Sequence, residues 1–266
     1  IIAANLKLNG YEKGIGVNVL DLFSGIGGFS LGLESTGFFK TVGFCEQDKF
    51  CQKVLRKHWK DVPIYEDIKT LDARKIQADV VVGGFPCQSF SIAGKQKGKD
   101  DERYLWDEMF RVIKEAKPRW IIGENVQNLT NISDGQILQG IHNDLESQGY
   151  EVQTFNISAS SQGAWHKRAR IWIVAANTKK NVWNSESTGL QSSFNRQRKR
   201  EFWRTSTPRE QCQRTWWQIE SELCGVPDGV CYGLDKGRAN RIKALGNSVV
   251  PQIIKEIGLA IYETEK

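Results

Sequence analysis

The sequence has little of what would tie a protein to a membrane, a metal or an oxidising compartment. No apolar run approaches the length of a bilayer span, and the first residues lack the basic, apolar and small-residue succession of a secretory signal. Histidine is scarce, at three residues, and the six cysteines (45, 51, 87, 212, 224 and 231) form no C-x-x-C pair. These counts argue against a zinc site and against a disulfide framework. A cytoplasmic protein with reduced thiols, no membrane association and no bound metal is expected. No internal repeat is apparent.

What is present suits an enzyme-sized α/β protein. With 266 residues, 39% of them hydrophobic and 26% charged, the chain can bury one large domain and carry a smaller appendage. Its net charge of +6 is unevenly placed: residues 178–217 hold nine Lys/Arg against three acids, the whole excess of the chain. Four of the nine tryptophans (183, 203, 216 and 217) fall in the same stretch. Basic residues interleaved with aromatics suit a phosphate backbone and its bases. A solvated, loop-rich insertion has the same composition.

From Val17 the pattern is a short apolar run, a turn and an amphipathic segment, repeated. Strands are expected at Val17–Phe23, Thr41–Cys45, Ala78–Gly83, Trp120–Gly123, Tyr150–Ile157 and Arg170–Ala175. Helices are expected from Phe29 to Gly37, from the cap Asp48 to Trp59, and over Leu105–Ala116, Gln136–Gln148 and Pro251–Tyr262. The alternation predicts a doubly wound, mostly parallel α/β sheet of the Rossmann-like kind. Periodicity stops after Ala176, so three parts are expected: a catalytic and cofactor-binding domain over 1–177, a small irregular region over 178–238, and a segment over 239–266 that returns to the first.

Three segments carry chemistry. Ser24-Gly25-Ile26-Gly27-Gly28 turns the first strand into the first helix, where backbone can approach a ligand closely. Glu46 ends the second strand, where a carboxylate can accept from ribose hydroxyls, and Asp67 follows a further strand-like segment. A nucleoside cofactor is expected, with a dinucleotide still open. Gly83-Gly-Phe-Pro-Cys87 presents a thiol at a strand's carboxyl end, and Ala93 to Asp101 has the glycines and lysines of a lid over a polyanion. Cys45 and Cys51, by contrast, read as small buried hydrophobes. Glu124 ends a strand where an apolar setting would raise its pKa and make it a proton donor. Arg168 and Arg170 flank Ala169 at the start of a strand and are expected to share one face, able to clamp a carbonyl or phosphate.

Taken in order, these residues resemble the C5-cytosine DNA methyltransferases over most of 17–175 and 240–262. Asp21-Leu-Phe-Ser-Gly-Ile-Gly-Gly is similar to that family's cofactor loop, Pro86-Cys87-Gln88 to its nucleophile motif, and Glu124-Asn125-Val126 to its acidic motif. Arg168-Ala-Arg170 is similar to its arginine pair and Gly246-Asn247-Ser248-Val249 to its last cofactor motif. The resemblance implies S-adenosylmethionine as methyl donor, S-adenosylhomocysteine as product and no metal. It places Phe23, Gly25, Gly27, Glu46, Asp67, Pro86 and Asn247 at the cofactor, with Ser24, Ile26, Gln47, Ile68 and Val249 beside them. It implies Cys87 as nucleophile at C6 of a flipped cytosine, Glu124 at N3, Arg168 at O2 or a nearby polar partner, and Arg170 supporting the loop or Glu124. Double-stranded DNA is the implied partner of a monomer active at the nucleoid. Gln88, Ser89, Lys95, Lys97, Arg198, Lys199, Arg200, Trp203 and Arg204 are expected to face the DNA. One departure is plain: Trp165-His166 stands where the family has Pro-Gln. The short recognition region suggests a short site and an orphan phage methylase rather than half of a restriction pair. A tRNA-methylating branch and a silent DNA-binding homologue are the alternatives.

Overall fold

Val80, Val81, Val82 and Gly83 are all buried, as a strand covered on both faces requires. A computed structural model of the chain describes residues 16–86, 105–164, 167–178 and 238–264, and places this strand near the middle of a sheet. Seven strands are found among the described residues: β1 (Val17–Leu22), β2 (Phe39–Cys45), β3 (Ile64–Tyr65), β4 (Val80–Gly83), β5 (Trp120–Val126), β6 (Tyr150–Ser158) and β7 (Ala169–Asn177). Their order is β3-β2-β1-β4-β5-β7-β6. All neighbours are parallel except that β7 runs antiparallel to both β5 and β6. The chain moves outward from β1 to β2 and β3, then returns to lay β4 against the other side of β1. That reversal opens a crevice at the carboxyl ends of β1 and β4, where doubly wound sheets hold ligands.

Helices cover both faces. On one, α3 (Trp106–Ala116) and α4 (Gln136–Ser147) pack Met109, Val112, Ile113, Ile141 and Leu145 against Leu20, Leu22 and Val81. On the other, α1 (Gly28–Glu34) and α6 (Pro251–Thr264) pack Phe29, Leu33, Ile254 and Ile257 against Val19, Val80 and Val82. Alternate residues of one strand thus enter different layers, the period-two consequence of a pleated backbone. The α1–α6 contact is close enough to need glycine. A Cβ on Gly32 would lie 2.6 Å from Ile254 Cβ and from the Pro251 carbonyl oxygen.

Capping follows the local chemistry. Asp48 starts α2 (Lys49–His58) by accepting from the amides of Phe50 and Cys51. α5 (Arg238–Asn247) precedes α6 and brings the last segment back to the crevice. Several element ends differ by a residue or more from the sequence pattern, and one of them bears on the site. β5 continues past Gly123 because β7 supplies ladder partners, pairing Glu124 with Trp172 and Val126 with Arg170. Glu124 therefore sits within a strand rather than at its end. Among the described residues no helix is long and apolar enough to cross a membrane.

Candidate active site

The turn after β1 is built on left-handed backbone, with φ of 52° at Phe23, 54° at Gly25 and 86° at Gly27. Nothing lies within 4 Å of the space a Gly25 side chain would occupy, so the backbone there is open to a ligand. Gly27 is needed for a different reason, since its Cβ would strike the Trp59 ring at 2.6 Å. Ser24 is buried and folds the turn on itself, its Oγ donating to the Asp21 carbonyl at 2.6 Å. Beneath it, Asp21 is fully buried and accepts from Ser30 N–H and Oγ, while its Oδ1 has no partner. Burial pushes the Asp21 carboxyl up to about 8, against the opposing hydrogen bonds from Ser30.

Glu46, just past β2, ties the glycine turn to the start of α2. The Gly25 amide donates to its Oε2 and the Asp48 amide to its Oε1, each at 2.7 Å. Lys243 of α5 reaches Asp48 at 3.2 Å. Asp67 caps a short 3-10 turn (Ile68–Thr70) after β3 by accepting from the Lys69 amide.

The other half of the site lies on β4, β5 and β7. Glu124 and Arg170 are diagonal neighbours on one face, with Arg170 Nε 3.1 Å from Glu124 Oε1. A side chain on Gly84 would come within 3.2 Å of Glu124 Oε2, so the carboxylate lies over bare backbone. Burial raises the Glu124 pKa; the charges of Arg170 and Arg168 and the Arg170 hydrogen bond pull the other way. Asn125 Nδ2 donates to the Phe85 carbonyl at 3.0 Å, fixing the approach to Pro86.

Arg168 does not share a strand face with Arg170. β7 begins at Ala169, and Arg168 takes φ 30°, a strained value for a residue with a side chain. Its Nη2 donates to the carbonyls of Gly246 and Ser248 at 2.7 and 2.8 Å. It thereby clasps the turn that carries Asn247.

These groups line one cleft of about 650 Å³. The structure brings together on its wall Phe23, Gly25, Glu46, Gln47, Asp67, Ile68, Pro86, Asn247, Glu124, Arg168 and Arg170. It does not bring Ser24 or Gly27 there, because each is occupied in shaping the turn. Ile26 and Val249 line a separate groove of about 320 Å³. Cys45 and Cys51 are buried, with thiols pushed by burial up to about 12 and about 11. Both reach the cleft wall, as do Asn125 and Lys243, which sequence reasoning missed. Asn125 had a signal, standing next to Glu124 in the Glu124-Asn125-Val126 motif; Lys243 had none. Cys87, Gln88, Ser89, Lys95, Lys97, Trp165, His166, Arg198, Lys199, Arg200, Trp203 and Arg204 lie outside the described residues.

The open backbone at Gly25, the carboxylates of Glu46 and Asp67, and the apolar faces of Phe23, Ile68 and Pro86 fit an adenosine with a polar tail. The C-5 cytosine-specific DNA methylase family matches residues 17–222. Type II methyltransferase M1.ScrFI of Lactococcus lactis subsp. cremoris is 42% identical over 163 residues, 60% of this chain and 42% of that protein. Type II methyltransferase M.HhaI of Haemophilus parahaemolyticus is 35% identical over 171 residues, 64% of this chain and 52% of that protein. The matched region thus spans about half the length of these relatives. Among solved structures, the S. pombe Dnmt2 methyltransferase superposes with a TM-score of 0.63 at 15% identity, covering 93% of this chain and 99% of that one. At that identity the likeness is one of fold.

Proposed function

We propose, for a chain that belongs to the C-5 cytosine-specific DNA methylase family, that it methylates C5 of a cytosine in duplex DNA. The observation that carries the reading is Glu124. It is a carboxylic acid with a raised pKa, held by Arg170 over the bare backbone of Gly84, three residues before Cys87 in sequence.

The target cytosine leaves the stack, because its C6 is closed to attack inside a duplex. Cys87 thiolate forms a bond to C6, and Glu124 gives a proton or hydrogen bond to N3. Electron density is thereby driven onto C5. S-adenosylmethionine, held by Phe23, Gly25, Glu46, Asp67 and Asn247, supplies an electrophilic methyl for that carbon when bound. Loss of the C5 proton to a base and breakage of the sulfur–carbon bond restore aromaticity and free Cys87. Arg170 keeps Glu124 in place through Nε, while its Nη1 donates to the Ala169 carbonyl at 2.9 Å. Arg168, expected at the cytosine O2 or a nearby polar partner, lines the cleft and gives its Nη2 to the Gly246 and Ser248 carbonyls, so it also braces Asn247. Residues 178–238, with their basic and tryptophan-rich composition, form the part that reads the DNA.

Covalent trapping tests the reaction. Duplex DNA with 5-fluorocytosine at the target, incubated with protein and methyl donor, is expected to yield a denaturant-stable adduct. Cys87→Ser should yield none, and an adduct surviving in that variant would overturn the nucleophile. Methylation sequencing of DNA from expressing cells supplies the target site.

A further inference from the structure

We propose that Arg111 of α3 is a positioning residue for the cofactor wall made by Asp67 and Ile68, resting on the reading of the cleft as a methyl-donor site. That wall has weak support of its own. It follows β3, which is two residues long and, among the described residues, lies at the sheet edge and pairs only with β2. Its internal backbone bonds are long, 3.2 Å from Thr70 N to the Asp67 carbonyl and 3.3 Å from Leu71 N to the Ile68 carbonyl.

Arg111 supplies what the turn lacks. Its Nη2 donates to the Ile68 carbonyl at 2.5 Å and its Nη1 to the Leu71 carbonyl at 3.0 Å. The fork is itself held by Glu108 at 2.9 Å and Glu115 at 2.8 Å. Glu115 also accepts from the Ala73 amide at 3.0 Å, so one carboxylate joins the guanidinium to the far end of the same segment. A planar guanidinium presents donors in two directions at once, and an ammonium cannot span both carbonyls while keeping both acids. The geometry is therefore specific to arginine, and it acts on the ligand only through Asp67 and Ile68.

The test uses Arg111→Ala and Arg111→Lys in the full chain. S-adenosylhomocysteine affinity is measured by calorimetry, and kcat is separated from KM for the methyl donor. Arg111→Ala is expected to weaken binding and raise KM by about tenfold, the effect of removing charge-assisted hydrogen bonds. Its kcat should stay within about twofold, since such a loss is one of ground-state binding. Arg111→Lys should recover part of the affinity. A folded variant with unchanged S-adenosylhomocysteine affinity overturns the proposal, as does a fall in kcat with KM unchanged. If neither variant folds, hydrogen exchange in the wild-type chain decides. S-adenosylhomocysteine should slow exchange over Lys69–Ala73, and binding without that protection overturns the role of Arg111. Failure of the wild-type chain to bind S-adenosylhomocysteine would instead sink the cofactor reading, and the proposal with it.

Discussion

Arg170 Nε stands 3.1 Å from Glu124 Oε1 across the antiparallel pair of β5 and β7, two residues off the direct register. The contact sets two opposed influences on one carboxyl, because burial raises its pKa and the guanidinium lowers it. A general acid needs its proton at working pH, so kcat/KM should fall as pH rises through the Glu124 pKa. Glu124→Gln should lose about 10²–10⁴-fold in rate and lose that limb of the profile. Arg170→Met should shift the limb to higher pH, since the lowering charge is gone. A limb that stays in place in Glu124→Gln belongs to another group.

Arg168→Ala removes both bonds from the sheet to the 246–248 turn. The expected cost is about 2 kcal/mol, at the low end for charge-assisted bonds because the arginine is only half buried. Thermal unfolding should show the loss, and calorimetry should show weaker S-adenosylhomocysteine binding through Asn247. Unchanged cofactor affinity would mean that the clasp does not act on Asn247.

Asp21 gives a pH dependence of stability with a definite sign. Its carboxyl rises from 3.8 to about 8 in the folded chain, so the folded state holds the proton more tightly. Its contribution is full below the lower value and is lost as pH rises through the higher one. Urea unfolding should find the wild type losing stability relative to Asp21→Asn between pH 3.8 and about 8. A difference that is flat across that range would show that Asp21 stays ionised in the fold.

Replacing Arg198, Lys199 and Arg200 together by alanine should weaken DNA binding at low salt. It should also flatten the plot of log affinity against log salt, by about 0.9 for each phosphate that is no longer neutralised. Filter binding over a salt series measures both. An unchanged slope would assign the basic stretch to something other than phosphate.

The elements that sequence made legible are those whose cause is local. Val80–Gly83 shows its burial in its own composition, and Asp48 shows its cap by type and place. Glu46 and Asp67 reached the cleft because strand ends and the switch point follow from alternation, whereas Asn247 was legible only through the family resemblance. Contacts between distant segments left no such trace. Lys243 meets Asp48 across 195 residues, and Arg111 meets Ile68 across 43. Arg168 was misplaced for a sharper reason. Its spacing to Arg170 implies a shared face only if the strand is regular, and the left-handed backbone at Arg168 breaks that regularity.

The packing of α6 on α1 has a consequence for synthesis. The glycine turn, Glu124 and Arg170 all precede residue 178 in the chain, whereas Asn247, the carbonyls gripped by Arg168 and the helix seated on Gly32 come after residue 238. A nascent chain that has emerged only through β7 therefore carries Glu124 and the glycine turn while the face of Leu33 that α6 packs on is still uncovered by that helix. Asn247 joins the cleft wall only with the segment whose helix covers that face.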